Sequence, residues 1–112
     1  MNKQILDIVG AKRWHDEGYT GKGVTIAVLD DFAMSDIIKP YDPTLESSHG
    51  LNACKAALVT APDVNLMMLK YIGKGANKKA CVEWIKENKP HLISVSLAGT
   101  AIEARDFNEL KD

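Results

Sequence analysis

Two adjacent carboxylates, Asp30 and Asp31, stand directly after the apolar run V-T-I-A-V-L, and a histidine, His49, opens the run H-G-L-N-A-C-K-A-A-L-V. An acid, a histidine and a hydroxyl make a nucleophilic triad: the acid orients the ring and fixes its tautomer, and the ring takes the hydroxyl proton. Asp30 and His49 supply two of the three parts. Of the serines, Ser47 and Ser48 suit a helix cap, while Ser94 and Ser96 alternate along an apolar segment. The acid pair is open to a second chemistry, because carboxylate oxygens are also the ligands of a divalent ion such as Mg2+. Each group has a plain structural role open to it as well: carboxylates bind loop amides, and a histidine at a helix start faces water. His15 and His91 show no partner in the sequence and are read as structural or solvated.

These groups meet only if the end of a strand is brought to the start of a helix. Val24–Leu29 is continuous, apolar and β-branched, which suits a parallel strand buried on both faces. Residues 31–48 carry Pro40, Pro43 and Glu46-Ser47-Ser48, and read as an irregular loop. Leu51, Cys54, Leu58 and Val59 then share a helical face behind a Ser47 or Ser48 cap. Val64–Ile72 is a second strand, Asn77–Asn88 a second clear helix closed by Lys89-Pro90, and His91–Leu97 a third strand. Residues 5–17 and the tail 101–112 also have helical spacing, the former with Gly10 as a weak point. Strands alternating with helices predict an α/β fold, a parallel sheet with flanking helices. In such sheets functional groups gather beyond the carboxyl ends of the strands. Asp30-Asp31, Lys70 to Gly75 and Ser96 to Thr100 hold those places, with His49 at a helix start nearby.

Composition narrows the field. At 112 residues the chain fits one domain. Its net charge of −1 leaves no electrostatic footprint for nucleic acid. No apolar run is long enough to span a bilayer, and the N-terminal segment, with Asp7 inside its apolar part, is no secretory signal. A cytoplasmic location is the resulting expectation. Cys54 and Cys81 lie in helical patterns without a C-x-x-C spacing, and are expected to be small core residues. The glycines fit no phosphate-loop frame. No cofactor is expected.

Four blocks in order, I-V-G-A-K-R-W…T-G-K-G-V-T-I-A-V-L-D-D, S-S-H-G-L-N-A-C-K-A-A-L, V-T-A-P-D-V-N-L-M-M-L-K-Y-I and C-V-E-W-I-K-E-N-K-P-H-L-I-S-V-S-L-A-G-T, cover most of residues 8–100. Together they resemble the N-terminal part of the catalytic domain of subtilisin-like serine proteases (subtilases). The resemblance implies a three-layer α/β/α fold, present in part, as a single domain over 1–112. It makes Asp30 the triad aspartate and His49 the triad histidine. It assigns Ser96, Leu97, Ala98 and Gly99 to the strand edge along which an extended peptide substrate is laid, by β-strand addition. The sequence departs from the family pattern in several places. The G-T-S-M-A nucleophile motif and the oxyanion asparagine are absent, Phe32 stands where the family keeps glycine, and H-G-T-H has become H-G-L-N. The resemblance thus implies an endopeptidase centre represented by its Asp/His half and inactive alone. Its expected partners are a peptide or protein substrate, and a complementing C-terminal subtilase half or a second copy of the chain. A non-catalytic pseudoprotease or peptide-binding module is the alternative. A small receiver-like module binding Mg2+ through Asp30 and Asp31 is a third reading. The shortened fold is expected to expose an apolar sheet edge.

Overall fold

The computed structural model describes residues 3–96. In chain order its elements are helices α1 (Lys3–Ile8) and α2 (Ala11–Asp16), strands β1 (Thr25–Asp31) and β2 (Ile38–Pro40), helix α3 (His49–Thr60), strand β3 (Asn65–Ile72), helix α4 (Lys78–Asn88) and strand β4 (Leu92–Val95). The strands form one sheet in the order β2-β3-β1-β4. β1 is central and runs parallel to β3 on one side and to β4 on the other. Its middle residues, Ala27, Val28 and Leu29, are fully buried, as a strand covered on both faces requires.

The chain leaves β1, adds the edge strand β2, returns through α3 to β3, and then passes through α4 back across β1 to β4. Right-handed crossovers that run in opposite directions must place their helices on opposite faces. The core is divided accordingly. Leu51 and Cys54 of α3 pack with Val28, Phe32, Leu66 and Met68 on one face. Cys81 and Ile85 of α4 pack with Ala27, Leu29, Leu69 and Tyr71 on the other. The result is a helix–sheet–helix arrangement, mostly parallel, in agreement with the α/β fold predicted from the sequence. The direction of travel reverses at β3, and the connections leaving β1 and β3 run to opposite faces, so the crevice outside the carboxyl ends of these two neighbours is the favoured place for a site. Asp30 and Asp31 close β1.

Local chemistry explains where the elements begin and end. Ser48, not Ser47, caps α3: its side chain accepts the Leu51 N–H at 3.1 Å. Asn77 caps α4 by accepting the Ala80 N–H at 3.0 Å. The helical pattern of residues 5–17 is broken at Gly10, whose φ of 82° lies in the left-handed region, so two short helices form in place of one.

One expectation needs correcting. The stretch read as irregular contains β2, which pairs antiparallel with β3 through Ile38↔Leu69 and Pro40↔Met67. It escapes pattern reading because it has three residues and ends in proline. Those features suit an outer edge, where a missing N–H costs no ladder bond. The opposite edge is different. β4 carries no charge, and its Leu92 and Ile93, which point to opposite faces, are both exposed. Leu97, Ala98, Gly99 and the tail pattern 101–112 lie outside the described residues. Among the described residues, no helix is long and apolar enough to cross a membrane.

Candidate active site

Asp30 and His49 meet. The ring Nδ1 of His49 lies 2.8 Å from Asp30 Oδ1, and since a carboxylate oxygen accepts, Nδ1–H donates. The same oxygen accepts the Asp31 backbone N–H at 2.7 Å. Asp30 is wholly buried, whereas the His49 side chain is 59% exposed. The acid is therefore fixed in the core while the ring is largely exposed, with Nδ1 on the carboxylate side. Asp30 Oδ2 is buried and has no hydrogen-bond partner among the described residues.

The backbone around the pair is shaped for it. At the end of β1 the register with β3 slips: Asp30 faces Lys70, but Asp31 faces Ile72. The step is a β-bulge at Tyr71, a device that re-aims strand ends beside functional groups. Asp31 is itself exposed, and its carboxylate lies where a β carbon on Gly73 would stand. Gly73 has a φ of 95°, in the left-handed region, so the backbone angle calls for glycine there, while the exposed Asp31 side chain could move aside. Gly50, next to His49, is required by close approach alone. A β carbon on it would strike the Asp31 carbonyl oxygen and lie 2.6 and 2.8 Å from Cε1 and Cδ1 of Phe32. Phe32 does not disrupt the loop. Its ring turns into the α3-side core, 2% exposed, and the Asp30–His49 bond forms above it.

Reading the sequence missed the parts played by Phe32, Gly50 and Lys70. Lys70 is 8% exposed, and its ammonium donates to the Met34 carbonyl at 2.6 Å. The Lys70 backbone N–H also donates to Ile37 O at 2.7 Å, so the stretch after β1 is fastened to β3 twice. A single lysine inside V-N-L-M-M-L-K-Y-I was the available signal, because a lysine is rarely buried without a partner. The other histidines are structural, and both have backbone partners. His15 Nε2 donates to Thr60 O at 2.7 Å, and His91 Nδ1 accepts the Thr25 N–H at 3.0 Å. Ser94 pairs with Val28 across β1 and β4. Ser96 follows β4 and is exposed. Among the described residues, no three His, Cys, Asp or Glu side chains are grouped to hold a metal.

Both cysteines are free and buried. Burial pushes the Cys54 thiol up to about 11, helped by the negative charge of Asp30, and burial alone pushes Cys81 up to about 11. Thiolate is the reactive form. Iodoacetamide at mildly alkaline pH is therefore expected to leave both thiols unmodified in the native chain and to alkylate both in denaturant, as read by intact mass. Modification of Cys54 in the native state would mean that α3 lifts from the sheet.

No protein-family profile, curated protein or solved structure matches this chain.

Proposed function

We propose that this chain carries the acid–base half of a subtilase-type serine endopeptidase centre, with Asp30 as orienting acid and His49 as general base. The nucleophilic serine and the oxyanion donors would come from outside these 112 residues. One observation carries the reading: a wholly buried carboxylate bonded at 2.8 Å to the Nδ1 of a histidine whose side chain is largely exposed. With Nδ1–H held by Asp30, Nε2 takes the proton from an attacking serine hydroxyl, and Asp30 stabilises the imidazolium that forms. The ring then returns that proton to the leaving amine. Nothing in this pair attacks a carbonyl or stabilises an oxyanion, so the isolated chain is expected to be inactive. The peptide substrate would lie along Ser96, Leu97, Ala98 and Gly99, and Ser96 is exposed at the end of β4.

The test adds a separately expressed subtilase C-terminal half, carrying its G-T-S-M-A serine, to this chain, and treats the mixture with a fluorophosphonate. Labelling of the added serine is expected only when both polypeptides are present and His49 is intact. Absence of labelling at any ratio, or equal labelling with His49→Ala, sinks the proposal. A second reading, a non-catalytic peptide-binding module, is favoured by the open edge of β4 with exposed Leu92 and Ile93. It predicts peptide binding that His49→Ala leaves unchanged.

A further inference from the structure

We propose that Phe32 is the positioning residue for His49 and acts through Gly50: its ring sets the height of the first turn of α3 above the end of β1, and so the reach of Nδ1 to Asp30. The inference rests on the Asp30–His49 pair of the reading above, and not on proteolysis. Asp30 is wholly buried and cannot move to follow a displaced ring. His49 is largely exposed, so its place is decided by the backbone of the turn that carries it. The Ser48 cap does not decide that place, because the cap bonds to Leu51 within the same helix and travels with it. What joins this turn to the sheet is the seat under Gly50. The Asp31 carbonyl and the Phe32 ring approach it so closely that no β carbon fits. Leu51, the next residue, packs into the same cluster as Phe32. A shorter side chain at position 32 leaves a gap under the turn. The helix start settles or tilts into it, and a 2.8 Å bond loses its alignment, to which hydrogen bonds are sensitive.

The tautomer of His49 reports this directly. Long-range proton–nitrogen NMR on the full chain with ring-15N histidine, at a pH where imidazoles are neutral, distinguishes Nδ1–H from Nε2–H. The wild-type chain is expected to show His49 as the Nδ1–H form and both His15 and His91 as Nε2–H forms, given their backbone bonds. Phe32→Leu is expected to lose the His49 Nδ1–H signature while His15 and His91 keep theirs, which shows that the fold persists. Leu58→Ala trims the same cluster away from the seat and is expected to leave all three rings unchanged. If Phe32→Leu does not fold, Phe32→Met, closer in length, is read in the same way. An unchanged His49 tautomer in the folded Phe32 variant, or an equal loss in Leu58→Ala, overturns the proposal and makes Phe32 a core filler. The measurement needs no serine, so failure of the labelling test leaves this result standing, and the reverse also holds.

Discussion

Asp30→Ala is expected to release the His49 ring into the Nε2–H tautomer and, in the complemented assembly, to slow serine acylation by about 10⁴-fold. The size follows from what the acid does in a triad: without it the ring is neither held nor presented with its basic nitrogen toward the nucleophile. The geometry adds a more specific expectation. Asp30 Oδ1 serves both donors, His49 Nδ1–H and the Asp31 N–H, and Oδ2 serves none among the described residues. An asparagine amide oxygen can therefore take over both bonds, with its amino group placed where Oδ2 was unpartnered. Asp30→Asn is expected to keep the His49 Nδ1–H tautomer and to lose only the negative charge that stabilises imidazolium. The two variants thus separate orientation from charge. Ring-15N NMR reads the first, and fluorophosphonate labelling rates read the product of both. If Asp30→Ala keeps the wild-type tautomer, or labels at the wild-type rate, Asp30 is not the orienting group.

Much of this arrangement was legible before folding. Val24–Leu29 announced a buried parallel strand because six apolar or β-branched residues run without a break, and Ser48 before an apolar helical face announced the start of α3. Those two elements suffice to bring Asp30 to His49, since a crossover from a strand end leads into the following helix on one face of the sheet. The sequence could not reveal depth. Asp30 and Asp31 are the same residue type at adjacent positions, yet one is wholly buried and the other exposed. Strand alternation decides which, and the bulge at Tyr71 that shapes the strand end has no sequence signature of its own. The burial of Phe32 was hidden for a related reason. Set against the subtilase pattern, the residue stands where a glycine is expected, which says nothing of where its ring goes. Its true surroundings, a cluster containing Val28, Leu51, Cys54 and Met68, are assembled from three separate elements and cannot be seen from its neighbours in the chain. β2 was missed because three residues ending in proline carry too little periodicity to register.

Gly50→Ala tests the same seat from the helix side, and two opposing effects settle its sign. Ala is the better helix former by about 1 kcal/mol, so at an exposed helical glycine the change would stabilise. Here the new β carbon meets the Asp31 carbonyl oxygen, which is backbone of the central strand, and two carbons of a ring already packed in the core. Neither neighbour is the free end of a flexible side chain, so the strain has to be relieved by lifting α3. Overpacking of this kind costs about 3 kcal/mol. The net expectation is a loss of about 2 kcal/mol, since the steric cost exceeds the helix-propensity gain. It should appear as a lower urea midpoint with unchanged slope, which separates lost stability from a change in surface exposed on unfolding. Asn52→Ala, two residues further along the same helix and exposed, isolates the propensity effect and is expected to be neutral or slightly stabilising. A Gly50→Ala chain as stable as wild type would show that α3 does not rest on the end of β1. Leu51 and Cys54 in the core, with the Asp30–His49 bond, would then hold the helix without the seat under Gly50.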